Sequence, residues 1–324
     1  MPRRALITGV TGQDGSYMAE LLLAHDYEVW GTVRGSPDER YTNLEAVRDR
    51  IELVACDLAE PAAIASALDL CRPHEIYNLA AMSFVPRSWE EPLETIEINA
   101  TAVTVMLESV RTAHPRARVF SAASGEMFGA AQDGLQHEDT PCRPRTPYAI
   151  AKLHAHLMIG AYRDHHGLHA SSGIAFNHES LRRPPEFVTR KVTRTAAAIK
   201  LGLEDELVLG DLDAVRDWGY APDFVEAMWL MLQQEEPGDY VIATGVGRTV
   251  RDLVDAAFEA AGVGVEPHLR IDPALVRRRE VRPSIGDASK ARARLGWTPR
   301  TSFAEMVAEM VDHDLRALAP AERP

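Results

Sequence analysis

Short apolar runs alternate with longer amphipathic stretches through the first half of the chain. Six runs rich in Ile, Val, Leu and Tyr predict strands, at residues 5–7, 27–33, 51–54, 75–81, 118–122 and 170–176. Between them, stretches such as 102–110 and 148–162 repeat apolar residues at helical spacing. Strands that alternate with helices in this way are typical of an α/β fold with a doubly wound parallel sheet.

The pattern changes past residue 176, where Arg and Pro become frequent and the apolar runs shorten. Residues 223–232 still predict a helix and 240–243 a strand, and both could return to the first sheet. From about residue 249, two helical stretches are predicted around the arginines of 277–282. The sequence therefore predicts a large N-terminal domain and a smaller mixed α/β C-terminal lobe. We place the domain at 1–176, with 216–245 returning to it, and the lobe at 177–215 and 246–318.

Composition limits the classes of function and the location. The 324 residues carry a net charge of −13, which argues against nucleic-acid binding and against broad binding to anionic membranes. No apolar run reaches transmembrane length, and the apolar stretch at the N-terminus is too short for a signal peptide. The three cysteines are odd in number and show no metal spacing, so we expect no metal site and reduced thiols in the cytoplasm.

A glycine loop joins the first predicted strand to the helix that follows it. Gly9, Gly12 and Gly15 recur at every third residue of this loop. The first glycine permits a tight turn, the second lets a diphosphate approach the backbone, and the third lets the helix pack closely. The anion then lies at a helix N-terminus, where free N–H groups favour it. We therefore predict a Rossmann dinucleotide site here.

The residue at the end of the second strand bears on the choice between the two nicotinamide dinucleotides. An NAD site usually has an acid there, which holds the ribose 2′-hydroxyl. This chain has Arg34, whose guanidinium suits a 2′-phosphate. NADP is therefore the favoured cofactor, and NAD is the alternative.

Four residues near the fifth strand form a candidate catalytic set. Tyr148 stands four residues before Lys152 on a predicted helix, so both side chains share one face, and the ammonium can lower the pKa of the phenol. Ser124 and Glu126 follow the carboxyl end of a strand, where open α/β sheets bind ligands. Taken singly, each residue fits a solvated surface position, but their conjunction with the glycine loop favours catalysis. A tyrosine with a carboxylate indicates that more than a hydride moves.

Several strings of residues are more specific than the glycine loop. They lie at 5–17, 148–153, 176–180, 187–191, 216–221, 228–234, 241–245 and 295–297. The most distinctive are Asn-His-Glu-Ser at 177–180 and Arg-Asp-Trp-Gly at 216–219. On these residues the chain resembles the extended short-chain dehydrogenase/reductases that act on nucleotide sugars, and most closely the GDP-mannose 4,6-dehydratases. The resemblance covers nearly the whole chain.

The resemblance implies a redox-neutral dehydration of GDP-mannose, or of a related GDP-hexose, to a 4-keto-6-deoxy sugar. Tyr148 would take the O4 proton while hydride passes from C4 to NADP, and Lys152 would hold the nicotinamide ribose. Ser124 would hydrogen-bond the same oxygen, and Glu126 would move a proton from C5 to the departing C6 hydroxyl. Hydride would then return to C6. The family also commonly forms homodimers or homotetramers.

The glycine loop and the resemblance together indicate ligand contacts. The expected cofactor contacts are Gly9, Thr11, Gly12, Gln13, Asp14, Gly15, Arg34, Asp57, Leu58, Leu79, Ala80, Ala81, Lys152, His178 and Arg183. The expected substrate contacts are Ser83, Asn177, Lys191, Arg216, Arg279 and Glu280. Because the protein is acidic overall, a diphosphate needs a local basic site, and basic residues cluster at 182–194 and 277–282.

The chain departs from the family pattern at several positions. Gly35 stands where a second arginine is usual, which keeps NAD open. Ala123 and Gly125 stand where hydroxyl residues are usual, and Ile96 where a tyrosine is expected near the cofactor. Arg278 replaces a proline expected beside the nucleotide, so the preferred sugar or base could differ from GDP-mannose.

Two other classes of function compete with the dehydratase. A 4-epimerase, a 4-keto reductase or a decarboxylase could use the same scaffold, although Glu126 argues against a simple epimerase, which needs no carboxylate at C5 and C6. Outside enzymes, the alternative is an NADP-sensing module. The set of Ser124, Tyr148 and Lys152 argues against it, because a sensor has no need of them.

Overall fold

The computed structural model describes residues 2–129, 134–275 and 283–319. Its strands are β1 (Arg4–Thr8), β2 (Glu28–Val33), β3 (Ile51–Ala55), β4 (Glu75–Asn78), β5 (Arg118–Ser124), β6 (Ala170–Ala175), β7 (Asn177–Glu179), β8 (Leu207–Leu209), β9 (Val215–Tyr220), β10 (Asp239–Ile242), β11 (Gly247–Thr249) and β12 (Leu269–Ile271). Its helices are α1 (Gln13–Ala24), α2 (Pro61–Cys71), α3 (Arg87–Glu90), α4 (Pro92–Ile96), α5 (Ala102–Ala113), α6 (Pro147–His166), α7 (Val188–Lys200), α8 (Ala221–Gln233), α9 (Val250–Ala261), α10 (Ser289–Leu295) and α11 (Phe303–Leu318).

Seven parallel strands form the central sheet in the order β10-β6-β5-β4-β1-β2-β3. This order confirms the predicted doubly wound parallel sheet of the Rossmann type. The strand order reverses between β1 and β4, so the loops at their carboxyl ends turn to opposite faces and leave a crevice between them. The crevice is where a ligand is expected.

Helices cover both faces of this sheet. On one face α1 and α8 pack together over buried Met18, Phe224 and Met228. On the other face α2, α5 and α6 enclose a core that includes Leu107 and Ile159. The sheet is therefore buried on both sides, as its apolar strands require. None of the helices in the described ranges combines the length and apolarity needed to cross a membrane.

In the described residues, the C-terminal lobe has two small sheets and three long helices. In one sheet β9 lies between β7, which is parallel to it, and β11, which is antiparallel. In the other sheet β8 pairs with β12. The helices α7, α9 and α11 pack around Val192, Leu253, Phe258 and Met310. The predicted mixed α/β lobe is confirmed.

The chain crosses between the central sheet and the lobe more than once. β9 lies in the lobe, α8 then packs on α1, and β10 pairs with β6 at the edge of the central sheet. The predicted returning segment, 216–245, thus begins in the lobe and ends in the central sheet. The bounds of the two predicted domains stay predictions.

The main differences from the sequence-based expectation concern β4, β5 and the region after residue 249. β4 ends at Asn78, three residues before the end of the predicted strand 75–81. β5 runs two residues beyond the predicted strand 118–122, so that Ser124 is its last residue. Among the described residues after 249 there are three α-helices rather than two, because the seven-residue α10 (Ser289–Leu295, capped by Gly296) was not predicted. So short a helix cannot repeat an apolar face, and the periodicity therefore misses it.

Candidate active site

A cavity of about 580 Å³ opens at the carboxyl ends of the central strands. Every predicted cofactor contact lines it, from the glycine loop to Arg183. So do the four predicted catalytic residues, together with Ser83 and Asn177 among the predicted substrate contacts. The structure therefore brings most of the predicted site together, and the role of each residue stays a prediction.

The glycine loop leaves no room for a side chain at Gly9 or Gly15. Gly9 has a φ of +68°, and a Cβ on it would lie 2.7 Å from the Cα of Ala80. A Cβ on Gly15 would lie 2.2 Å from the carbonyl oxygen of Gly9. Gly12 is the N-cap of α1 and offers no side-chain cap, which leaves the helix end bare beside the cavity. A bare helix N-terminus with this loop fits the diphosphate of a nicotinamide dinucleotide.

The catalytic set is held by β5 and by the first turns of α6. Thr146 caps this helix by accepting the N–H of Ala149 at 3.1 Å, and Pro147 begins it. Tyr148 and Lys152 are both buried, one turn apart, and the Lys152 Nζ lies 6.0 Å from the centroid of the phenol ring. Lys152 Nζ also donates to the carbonyl oxygen of β5 residue Ala122 at 2.7 Å. The lysine is thus anchored to the sheet beside the tyrosine.

Ser124 positions the carboxylate of the set. Its Oγ accepts the backbone N–H of Glu126 at 3.2 Å, which starts the 3₁₀ turn Gly125–Met127. A Cβ on Gly125 would lie 3.2 Å from the ring of Phe176, so the turn is pressed closely against the end of β6. Glu126 consequently lines the same cavity as Tyr148.

Burial dominates the acidity of both members of the tyrosine–lysine pair. It raises the pKa of Tyr148 to about 12, and the hydrogen bond with Ser124 is the largest influence in the opposite direction. Burial also lowers the pKa of Lys152 to about 8. The expectation that the ammonium would lower the phenol's pKa is not met in this structure: burial raises that pKa, and the opposing influences come from Ser124 and Arg183.

A partly buried ion pair lies between the glycine loop and β7. Nε2 of His178 lies 2.9 Å from the Asp14 carboxylate, and Nδ1 lies 2.7 Å from the carbonyl oxygen of Phe176. Both partners can only accept, so both ring nitrogens donate and the ring is an imidazolium. Burial raises the pKa of Asp14, but the charge and hydrogen bond of His178 outweigh it and hold that pKa at about 2.

Most of the predicted basic cluster at 182–194 is used elsewhere. Among the basic side chains of this cluster, all of which the structure describes, only that of Arg183 lines the cavity. Its guanidinium carbon lies 3.6 Å from the ring centroid of Phe187. Arg182 pairs with Glu20 on α1, and the buried Arg190 pairs with Asp314 on α11. Arg182 and Arg190 therefore join parts of the fold rather than contact the cavity.

Two predicted substrate contacts, Lys191 and Arg216, are described by the structure but do not line the cavity. Lys191 does not line the cavity, and its Nζ donates to the carbonyl oxygen of Val208 at 2.7 Å. Arg216 lies on β9 beside Ser284, which does line the cavity. Arg279 and Glu280 fall outside the described residues. These contacts stay predictions.

Phe84, Arg87 and Phe187 also line the cavity, although they were not predicted from the sequence. The rings of Phe84 and Phe187 meet edge to face, with centroids 5.5 Å apart. The rule that strand ends carry ligand sites could have found the loop after β4. Ile96, which replaces an expected tyrosine, is on α4 away from the wall, whereas Ile98 lines the cavity. In the described residues no three His, Cys, Asp or Glu side chains are arranged to hold a metal ion.

Comparison with known proteins shows similarity over nearly the whole chain. The sequence model of the GDP-mannose 4,6 dehydratase family matches residues 6–310. GDP-mannose 4,6 dehydratase 1 of Arabidopsis thaliana is 45% identical over an alignment of 335 positions, which covers 99% of this chain and 92% of that protein.

Solved structures of nucleotide-sugar enzymes share the fold. UDP-glucose 4-epimerase of Thermotoga maritima, solved with UDP-glucose, has a TM-score of 0.86 at 25% identity, over 98% of this chain and 100% of that one. DesIV, a dTDP-glucose 4,6-dehydratase of Streptomyces venezuelae solved with NAD, has a TM-score of 0.84 at 26% identity, over 97% of each chain. Sequence identity is thus higher to the plant enzyme than to either of these.

Proposed function

Because the chain belongs to the GDP-mannose 4,6-dehydratase family, and is therefore a nucleotide-sugar 4,6-dehydratase of the lyase class, we propose that it converts GDP-mannose to GDP-4-keto-6-deoxymannose and water. One observation carries the proposal: Glu126 lines the same cavity as Tyr148 and the glycine loop. Loss of water across C5 and C6, added to oxidation at C4, needs a second acid/base group, whereas a simple oxidation or reduction needs the tyrosine alone.

The side chains of the cavity divide the proton transfers between them. Tyr148 accepts the proton of the 4-hydroxyl, and Ser124 holds the same oxygen by a hydrogen bond. A ketone at C4 acidifies the C5 hydrogen, so Glu126 removes that proton and delivers it to the departing 6-hydroxyl. The nicotinamide cofactor, when bound, would supply the uptake of hydride from C4 and its return to C6. As hydride returns to C6 a proton is added at C5, and this proton balances the one that Tyr148 took from O4. Lys152 orients the nicotinamide ribose.

The cofactor is a nicotinamide dinucleotide, and we propose NADP. Arg34 lines the cavity at the end of β2 with a side chain 72% exposed, so a 2′-phosphate can reach its guanidinium. Two carboxylates near this position favour the alternative, NAD. The carboxylate of Glu94 lies 3.5 Å from the Arg34 guanidinium, and that of Glu39 accepts the N–H of Ser36 at 3.2 Å. Chromatography of the nucleotide released from heat-denatured protein distinguishes the two cofactors.

The substrate proposal is tested with three nucleotide sugars in parallel. Purified protein with bound cofactor is incubated with GDP-mannose, UDP-glucose or dTDP-glucose, and the products are followed by NMR. We expect a 4-keto-6-deoxy product from GDP-mannose and much slower turnover of the other two. Absence of this product from GDP-mannose would contradict the proposal, and preference for another sugar nucleotide would move the enzyme to a different substrate.

The role of Glu126 is tested by Glu126→Gln, which removes the proton acceptor and keeps the shape. We expect C4 oxidation to continue, seen as nicotinamide reduction within one turnover, while release of water falls by about a thousandfold or more. Glu186→Gln is the matched control, because Glu186 also lines the cavity, at its exposed rim. Normal dehydration in Glu126→Gln would remove this residue from the mechanism.

We also propose that two copies of the chain pair through α4 and α6. These helices pack against each other, and both present apolar side chains to solvent. Leu93 is 82% and Ile96 43% exposed on α4, and Ile150 is 52% and Leu157 60% exposed on α6. Adjacent exposed apolar side chains are typical of a protein–protein contact. A helix face that covers its own counterpart gives a symmetric dimer.

A further inference from the structure

Polar side chains at the start of α1 are bonded across to β7 and the residue after it. Gln13 Nε2 donates to the carbonyl oxygen of His178 at 3.1 Å, and Ser180 Oγ donates to Gln13 Oε1 at 2.9 Å. Next to Gln13, Asp14 forms the ion pair with His178. We call these four residues, Gln13, Asp14, His178 and Ser180, the clasp. It joins the glycine loop of the central sheet to the C-terminal lobe.

Stability alone does not account for the ion pair in the clasp. The side chains of Asp14 and His178 are 22% and 13% exposed, so both charges are largely removed from water. The cost of desolvation offsets much of the attraction in such a pair, whereas loss of one partner leaves a buried charge unpaired. On its other side the imidazole stacks on Phe224, with ring centroids 4.9 Å apart. The pair therefore fixes the position of the glycine loop relative to β7 more than it contributes to the free energy of folding.

The proposed reaction makes a particular demand on cofactor binding. The hydride that leaves C4 must return to C6 of the same sugar, so the reduced cofactor must stay bound between the two transfers. If it leaves early, the C4 alcohol has been oxidised and NADP⁺ has been reduced to NADPH. The O4 proton is then on Tyr148, and the keto sugar has no hydride source. A dehydrogenase that releases reduced cofactor in every cycle has no such constraint.

We propose that Asp14 and His178 form a positioning pair that holds the glycine loop against β7 and thereby slows release of the cofactor within a turnover. Asp14 lies in the first turn of α1, at the expected diphosphate site. His178 follows Asn177, a proposed substrate contact, along β7. The pair thus connects the two halves of the cavity. The reason for retention rests on the proposed function, but retention itself is measurable without any sugar.

The test measures how fast NADPH leaves the holoenzyme. Enzyme loaded with NADPH is mixed with an excess of competing NADP⁺, and the loss of bound-nicotinamide fluorescence gives the dissociation rate. We expect Asp14→Asn, which keeps the shape of the side chain, and His178→Gln each to raise this rate at least about tenfold, equivalent to about 1.4 kcal/mol. The double variant should be no faster than the faster single variant, because the two residues act as one unit.

The matched control is Glu20→Gln. Glu20 on α1 pairs with Arg182 after β7, so it joins the same two parts of the chain as the clasp does, yet neither residue lines the cavity. We expect its NADPH dissociation rate to stay within about twofold of that of the parent enzyme. If Asp14→Asn and His178→Gln, both folded by circular dichroism, also stay within that range, the pair has no role in retention and the proposal is overturned.

A second readout separates retention from general damage. With GDP-mannose and added NADP⁺, a leaky variant should accumulate free NADPH and GDP-4-keto-mannose in equal amounts, whereas the parent enzyme should accumulate neither. A variant that is merely less stable would lose turnover without this stoichiometric leak, which would contradict the proposal. If the parent enzyme itself leaves GDP-mannose unchanged, the proposed function fails, and the dissociation rates still decide the role of the clasp.

Discussion

The hydroxyl of Ser124 serves both acid/base groups of the cavity. Its oxygen accepts the backbone N–H of Glu126 and so begins the turn that carries the carboxylate. Burial raises the pKa of Tyr148 to about 12, and the hydrogen bond with Ser124 is the largest opposing influence. One serine at a strand end therefore positions one proton carrier and adjusts the acidity of the other.

Removal of this hydroxyl should move the pH dependence of C4 oxidation. Tyr148 acts as a base and reacts only when ionised, so the rate rises with pH up to its pKa. In Ser124→Ala the pKa of Tyr148 rises further, and we expect the midpoint of the rising limb to move to higher pH. Single-turnover nicotinamide reduction across a pH series measures this midpoint.

Ser124→Thr is the control for this prediction, since it keeps a hydroxyl and should keep the midpoint near that of the parent enzyme. An unchanged midpoint in Ser124→Ala would show that the hydroxyl does not tune the phenol. A loss of rate at every pH without a shift would assign Ser124 to orientation of the substrate alone.

At the level of residues, sequence spacing predicts position better than it predicts acidity. The four-residue step from Tyr148 to Lys152 requires only a helix, and the structure has that helix. The pKa of each group depends on how deeply the surrounding chain buries it, and burial is a tertiary property. In the same way, the contact of Phe84 with Phe187 joins two distant loops that share no local pattern.

The glycine loop is the element whose geometry leaves the least freedom. Gly15→Ala should destabilise the protein by about 1–3 kcal/mol, because its Cβ would lie 2.2 Å from the Gly9 carbonyl oxygen and the helix would have to move. Urea denaturation, followed by circular dichroism, measures the change in the free energy of unfolding. We also expect weaker cofactor retention, since the start of α1 moves with the loop.

Gly160→Ala is the matched substitution within α6. Its Cβ would meet only Arg163 Nη2, at an ordinary 3.5 Å, so the exchange should be neutral or stabilising by up to about 1 kcal/mol. If Gly15→Ala and Gly160→Ala changed the free energy of unfolding equally, the close approach of the backbone at Gly15 would not be the reason that glycine is needed there.

At the level of elements, the prediction is best where apolar periodicity is long. The strands of the central sheet and helix α6 lie within a few residues of their predicted positions. α10 was missed because it is short, and the last two residues of β5 were missed because Ala123 and Ser124 carry little strand propensity. Their pairing with β6 extends the strand, which local sequence cannot reveal.

At the level of the whole molecule, the exposed apolar side chains of α4 and α6 predict an interface. Leu157→Glu would place a carboxylate in the middle of this surface, and burial of an unpaired charge would weaken pairing by several kcal/mol. We therefore expect the variant to be monomeric at concentrations where the parent chain is a dimer or a larger assembly. Sedimentation velocity over a concentration series is the measurement.

Leu70→Glu is the control for this prediction. Leu70 is exposed to the same degree, 59%, but it lies on α2. Its substitution should leave the assembly state unchanged. Equal dissociation by both variants would indicate a general effect of charge, and a monomeric parent chain would refute the interface.

The two-part architecture was predictable because the apolar pattern changes after residue 176. The way the parts are joined was less predictable, since it depends on pairings between distant segments. β9 joins the small sheet through β7, whereas β10 joins the central sheet through β6.

The position of β10 has a consequence for synthesis of the chain. β6 pairs with β5 on one side and with β10 on the other, and the segment that supplies β10 is made only after β7, α7, β8, β9 and α8. Until β10 emerges from the ribosome, β6 is an open edge made of residues that are all buried in the finished protein. Open apolar edges recruit other strands and promote aggregation. While the nucleotide-binding half has been synthesised but β10 has not, we therefore expect the chain to be most prone to aggregation.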